Sequence, residues 1–158
     1  MKMHRIALFG HRYISSVDFI EKKLTDIISE MLETIEYIEV LIGRNGDFDV
    51  FGASALKQLQ KTFGKERILI TLVLPYVTKD IEYYEKYYDA VIIPDCLESL
   101  HPKSKFKKRN EWIIDNCELL ICFVEQKYGG AYTAFKYAEK HKIKTINIAE
   151  YPKQLHIC

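Results

Sequence analysis

The sequence predicts an α/β fold, a three-layer sandwich built on a mostly parallel sheet of about six strands. Two observations carry this. Short apolar runs alternate along the chain with stretches of helical period. The runs are also apolar at successive positions rather than alternating, the mark of strands covered on both faces. Parallel strands joined through helices cross over with a right hand.

Taken in order, Ile6-Ala7-Leu8-Phe9 is a buried strand ending at Gly10. Val17, Ile20, Leu24, Ile27, Ile28, Met31 and Ile35 follow at helical spacing, with Ser15, Ser16 or Asp18 available as a cap. A second strand covers Tyr37 to Ile42 and ends at Gly43. Asp49 sits at a natural N-cap, and Ala53, Leu56, Leu59 and Phe63 share one helical face before Gly64 stops the helix. Ile68 to Leu74 is a third strand, closed by Pro75. A short helix then stacks Tyr83 over Tyr87 and Tyr84 over Tyr88. Ala90 to Ile93 is a short strand, Asp95 to Lys108 an irregular basic stretch, and Arg109 to Asn116 a short helix. Leu119 to Val124 is a fifth strand, Gly129-Gly130 opens a helix with Ala134, Tyr137 and Ala138 inward, and Thr145 to Ile148 is the last strand before a tail. No linker, repeat or low-complexity segment divides residues 1–158, so they read as a single Rossmann-like domain.

Composition narrows the function by exclusion. Lys plus Arg number 23 and Asp plus Glu 22, a net charge of +1, so no bulk attraction to nucleic acid or anionic lipid exists. Apolar residues at 48% and charged residues at 28% are ordinary for a folded domain. Cys96, Cys117, Cys122 and Cys158 form no C-x-x-C pair and have no His at zinc spacing, and Cys117 and Cys122 flank a strand as buried thiols do. No metal is expected. The stretch after Arg5 is too short for a signal-peptide core, and no apolar run approaches a membrane span, so the expected location is cytoplasmic.

Ligands of such sheets bind outside the carboxyl ends of the strands. Three junctions there are chemically unusual. Gly10-His11-Arg12 follows the first strand; glycine permits a close approach, Arg12 can make a bidentate contact to an anion, and His11 can donate to one or order the loop. Alone, the segment reads equally as an ordinary turn. Gly43-Arg44-Asn45-Gly46-Asp47-Phe48-Asp49 follows the second strand and fits a loop that turns its amides toward an anion at a helix start. Asp49 reads as the cap, and Asp47 as the freer carboxylate, able to accept from a ribose hydroxyl. Tyr128-Gly129-Gly130-Ala131-Tyr132-Thr133 exposes amides at a helix mouth, with the Thr133 hydroxyl nearby. Neither G-x-G-x-x-G nor a P-loop is present, and no serine lies in a nucleophile-elbow pattern. Lys103, Lys105, Lys107, Lys108 and Arg109 form a basic run that reads as a solvated loop, as a cover over an anion, or, with Phe106 and Trp112 to stack, as a single-strand contact.

In combination, the three junctions resemble the SLOG superfamily of Rossmann-like domains, named for the Smf/DprA and LOG proteins, and in particular its small stand-alone bacterial branch of largely uncharacterised proteins. Phe9-Gly10-His11-Arg12 stands where that branch carries Thr-Gly-His-Arg. Gly43 to Asp49 is similar to its Gly-Gly-Ala-x-Gly-Phe-Asp loop, and Arg109-Asn110-Glu111-Trp112-Ile113-Ile114-Asp115-Asn116 to its later signature. Gly129-Gly130 and Tyr137-Ala138 complete the order, over roughly residues 5–148. The resemblance implies a nucleotide or nucleotide-derived ligand, such as an adenine nucleotide or an ADP-ribose-like compound, at Gly10, Arg12, Gly46, Arg109, Gly129 and Gly130, with Asp115 bracing the following strand. The chain departs from the LOG pattern Pro-Gly-Gly-x-Gly-Thr-x-x-Glu, having Tyr128 for Pro, Tyr132 for the third Gly and Lys136 for Glu, while Thr133 is kept.

Three functions follow, in this order. The first is binding or sensing of a small anionic nucleotide-type ligand. The second is hydrolysis of an N-glycosidic or phosphate bond, with Glu125 the one carboxylate placed to replace the lost glutamate. The third is single-stranded nucleic-acid binding through the basic run. A homodimer through the aromatic helix faces is a further expectation, and no obligatory cofactor is assigned.

Overall fold

The computed structural model describes residues 4–151; Cys158 and most of the tail lie outside them. Six parallel strands, β1 (His4–Gly10), β2 (Ile38–Ile42), β3 (Ile68–Val73), β4 (Ala90–Ile92), β5 (Leu119–Phe123) and β6 (Lys144–Asn147), form one sheet in the order β4-β3-β2-β1-β5-β6. The expected parallel α/β sandwich is the observed fold, and the strand order supplies what local pattern could not. Succession runs outward from β1 to β4, then returns to β5 on the other side of β1. The direction of winding therefore reverses between β1 and β5, and a crevice opens at their carboxyl ends.

The reversal also sorts the helices. α1 (Val17–Met31) and α2 (Asp47–Phe63) cover one face, where Leu24, Ile28 and Leu56 pack with Ile6, Leu8 and Val40. The short α3 (Ile81–Tyr87) precedes the edge strand β4 and carries the tyrosines. Tyr83 stacks on Tyr87 at 6.3 Å, and Tyr84 meets Tyr88 edge-on at 6.3 Å, as the spacing predicts. α4 (Pro102–Asp115) and α5 (Gly130–Lys140) cover the other face, where Ile113, Ile114, Ala134 and Ala138 pack with Ala7, Phe9 and Leu120. Ile6 and Leu8 feed one core and Ala7 and Phe9 the other, which is why the centre of β1 is apolar at every position.

Two local expectations are corrected. Residues 95–108 are not irregular: after a single 3₁₀ turn (Asp95–Leu97), α4 begins at Pro102. His101 caps it, its Nδ1 accepting from the Lys103 amide at 3.2 Å, and Pro102 takes the first helical position, where no amide donor is needed. Its early turns are largely solvated, so they carry no apolar period to betray them. Helix α2 starts at Asp47 with Gly46 as its cap, three residues ahead of expectation. Asp49 thus lies inside the first turn, where its carboxylate accepts from the Asn45 amide at 2.9 Å.

Cys117 and Cys122 are buried and Cys96 is exposed. Burial pushes the Cys117 thiol up to about 11 and the Cys122 thiol up to about 12, so both stay protonated and behave as small apolar groups. Among the described residues, no group of His, Cys, Asp and Glu is arranged to hold a metal ion, and no helix is long and apolar enough to cross a membrane.

Candidate functional site: a cleft that opens into a lysine groove

A cleft of about 390 Å³ lies at the carboxyl ends of the central strands. Its wall brings together residues from all three junctions: Gly10 and Arg12 after β1, Gly43, Asn45 and Gly46 after β2, and Gly130 and Ala131 at the start of α5. Arg109 and Asn110 reach it from α4.

Arg109 is the chemical centre. Only 2% of its surface is exposed, unusual for a residue that carries a fixed charge. Its Nη1 donates to the Val73 carbonyl at 2.8 Å and its Nε to Asn110 Oδ1 at 2.8 Å. The guanidinium lies flat against Gly43, where a Cβ would stand 3.0 Å from Nη1, so glycine at the end of β2 makes room for the cation. Nη2 has no hydrogen-bond acceptor among the described residues. Burial lowers the Arg109 pKa, an effect that the Asp49 carboxylate opposes.

The other glycines of this side are also shaped by close approach. A Cβ on Gly10 would fall 2.1 Å from the Phe48 ring, and one on Gly46 would fall 2.5 Å from the Arg12 α carbon. The Asp47 amide donates to the Arg12 carbonyl at 2.8 Å, and the Asp47 carboxylate accepts from the Ile14 amide at 3.2 Å. Asp47, which reads from sequence as the freer carboxylate, is thus the one that ties the first loop to the second. The carboxylate on the cleft wall is Asp49. Burial raises its pKa to about 6, against the opposing effects of the Asn45 amide and Arg109.

His11 also has a structural task. Its ring is buried, and Nε2 accepts from the amides of Glu125 at 2.9 Å and Gln126 at 3.1 Å. The ring proton therefore sits on Nδ1. The pair of bonds latches the β1 loop to the β5 loop across the switch point. Burial lowers the His11 pKa, with the Glu125 carboxylate opposing, so the neutral acceptor form is favoured. Arg44 turns away from the cleft: Nη1 donates to the Tyr88 hydroxyl at 3.0 Å, and the guanidinium lies 4.9 Å from the Tyr84 ring centre. Thr133 returns its hydroxyl to the Gly129 carbonyl at 3.0 Å. Glu125 is exposed and lines neither cavity. Asp115 accepts from the Tyr137 hydroxyl at 2.8 Å, which braces α4 against α5.

The β5–α5 junction differs in kind. Gly129 has φ +93°, a conformation that favours glycine, and no atom lies within 4 Å of the place where a Cβ would stand on Gly129 or Gly130. Beyond it a second cavity of about 580 Å³ runs between α4 and α5. Lys103 and Lys107 line it from α4, and Lys136 and Lys140 from α5. Phe106, Asn110 and Gly130 line both cavities, so cleft and groove adjoin. The groove is hidden in the sequence because it depends on α4 being helical at Lys103. Each lysine pair is then one helical turn apart and shares a face. Lys136, noted as a substitute for a glutamate, belongs to the groove wall and pairs with Glu139 at 3.5 Å.

Solved structures share this architecture. DNA processing protein A (DprA) from Streptococcus pneumoniae superposes with a TM-score of 0.65 at 16% identity, over 90% of this chain and 49% of that one. DprA from Helicobacter pylori, described with a single-stranded DNA binding mode, superposes with a TM-score of 0.63 at 12% identity, over 97% of this chain and 67% of that one. The chain thus spans about half the length of the first of these. The likeness is one of fold, and it agrees with the SLOG resemblance, since DprA is one of the proteins behind that name. No family model matches the sequence, and no curated protein matches it.

Proposed function

We propose that the chain binds single-stranded nucleic acid, with one phosphate at Arg109 and the adjoining backbone along the groove between α4 and α5. The observation that carries this is that cleft and groove adjoin, sharing Phe106, Asn110 and Gly130 in their linings. A mononucleotide needs only the cleft. Four lysines beyond it suit a ligand with several phosphates in a row. Phe106, 39% exposed at the point where the two cavities meet, offers a face on which a base can stack. A net charge of +1 is no obstacle, because the attraction is local. The description of the Helicobacter pylori neighbour as a single-stranded DNA binder supports the same reading. The third reading drawn from sequence therefore moves to first place, ahead of the nucleotide ligand.

The test is fluorescence anisotropy with an oligothymidylate across a salt series. Log affinity should fall with log salt at about −0.7 per phosphate neutralised, and Lys107→Ala and Lys140→Ala should each flatten the slope by about that amount. Absence of binding at low salt, or binding indifferent to salt, overturns the proposal.

A second reading, a free nucleotide held in the cleft alone, draws on the buried Arg109 and on the Asp49 carboxylate beside it. It expects an adenine nucleotide or an ADP-ribose-like compound to raise the melting temperature of the wild type, and Arg12→Ala to abolish that rise. A hydrolase reading would have to rest on Glu125, which lines neither cavity; product formation that survives Glu125→Gln removes that assignment.

A further inference from the structure

The cleft holds a contradiction. It is built around a buried cation and bordered by Arg12, yet a carboxylate stands on its wall. Asp49 makes no ion pair within 4.0 Å of Arg109 or any other described cation, although the two groups feel each other's charge. Its carboxylate takes a hydrogen bond from the Asn45 amide instead. An anion that reaches Arg109 therefore enters the field of a negative charge in the same cleft that no ion pair holds.

We infer that Asp49 is a proton-operated brake on anion binding: ionised, it opposes a phosphate at Arg109; protonated, it admits one and can donate its hydroxyl to it. The inference rests on the reading of the cleft as an anion site. It specifies how that site is regulated, whichever phosphate ligand occupies it. The proton moves between Asp49 and solvent.

The surroundings of Asp49 single it out. From α4 it faces Arg109, a fixed cation, and the neutral Asn110. From the β1 loop comes Arg12, also a fixed cation. From the end of α3 comes the Tyr88 phenol, held above its ordinary value first by burial, with Arg44 opposing and Asp49 adding. The start of α5 contributes the uncharged Gly130 and Ala131. Asp47, on the same helix, is turned to the Ile14 amide, and His11 to the β5 loop. Burial raises the Asp49 pKa to about 6, which puts the switch within a physiological range.

Two probes whose charge is fixed between about pH 5 and pH 8 separate this inference from the nucleic-acid reading. One is an oligothymidylate without terminal phosphate, read by anisotropy at constant ionic strength. The other is inorganic sulfate against an equal ionic strength of chloride, read by the rise in melting temperature. Wild-type affinity should strengthen on the order of tenfold from pH 8 to pH 5, whereas Asp49→Asn should bind tightly throughout with a much weaker dependence on pH. Asp49→Ser, a second neutral variant, should match it. If sulfate shows the Asp49-dependent slope while the oligonucleotide binds nowhere, the brake stands and the nucleic-acid reading falls. If both variants keep the wild-type slope, or if neither probe binds any form, the brake is overturned.

Discussion

The β1–β2 side of the cleft and the β5–α5 side both use glycine, for opposite reasons. On the first side every glycine is pressed: Gly10 by Phe48, Gly43 by the Arg109 guanidinium, Gly46 by the Arg12 backbone. On the second, Gly129 and Gly130 have nothing within 4 Å of the point a β carbon would occupy. One half is packed to hold charged groups in place; the other is left empty over the groove. A glycine that is crowded tells of the protein's own packing, whereas Gly129 is called for by its φ of +93° and Gly130 borders both cavities with room for a side chain. Substitution at the two kinds should separate stability from binding.

The crowded side should give the largest losses. In Gly10→Ala the new methyl meets the root of the Phe48 ring, at Cβ and Cγ, so the side chain cannot swing clear without moving its backbone. A cost of about 3 kcal/mol follows from overpacking, or a fall of about 10 °C in melting temperature. Gly46→Ala should cost a similar amount. Its φ of −176° suits any residue, so the penalty comes from the Arg12 backbone and not from strain. Thermal denaturation that leaves either variant within a degree or so of wild type would mean that the loops of this side are not tightly packed.

Arg109 comes next, because it serves both halves. Arg109→Met keeps much of the volume and leaves the Val73 carbonyl without its partner. The unpaired carbonyl costs about 1–3 kcal/mol, offset in part by the removal of a buried charge. Binding of oligothymidylate should fall at least tenfold while far-ultraviolet circular dichroism stays native. Unchanged affinity in a folded Arg109→Met protein would remove the cation from the site.

Legibility in the sequence follows the same division between local and distant determinants. The central strands are legible because their middles are mostly apolar runs; Ile68 to Leu74 against the observed Ile68–Val73 is typical. The first turns of α4 are hidden because their polar face gives no period, and Pro102 looks like a break until it is placed at the first helical position. The roles of Asp47 and Asp49 exchange because helix α2 starts three residues earlier than a cap at Asp49 implies. Arg44 reads as part of the rim, but its partner Tyr88 lies 44 residues away, and only the sheet order brings them together. The reversal of winding between β1 and β5, which creates the crevice, has no local signature at all.

A smaller effect on stability, and one that depends on pH, is expected of Asp49. Its folded pKa is raised from 3.8 to about 6, so the folded state holds the proton more tightly than the unfolded chain. The contribution of Asp49 to stability is full below about pH 4 and is lost as pH rises through about 6. Asp49→Asn escapes that loss. The variant should melt higher than wild type near pH 8, and the gap should close as pH falls toward about 4. His11 runs the other way: its folded pKa is lowered, so its latch holds above the ordinary histidine value and weakens as pH falls below it. A melting curve of Asp49→Asn that stays parallel to wild type across this range would show that the Asp49 carboxylate is not desolvated in the cleft.

The open side should give the smallest change in stability and the most selective change in binding. Gly130 begins α5, has no positive φ, and borders both cavities with no neighbour within 4 Å of its missing side chain. Alanine there loses no contact and favours the helix by up to about 1 kcal/mol over glycine. Gly130→Ala should therefore melt at the wild-type temperature or slightly above it. Its methyl projects where cleft and groove join, so an oligonucleotide that runs from Arg109 to the lysines must pass over it. A fall in affinity of about tenfold, without loss of salt dependence, is the expected result, because the lysines remain. A mononucleotide confined to the cleft would be affected less. Equal losses for oligonucleotide and mononucleotide would place the ligand wholly inside the cleft, and no loss for either would mean that the open side is empty for some reason other than the passage of a ligand.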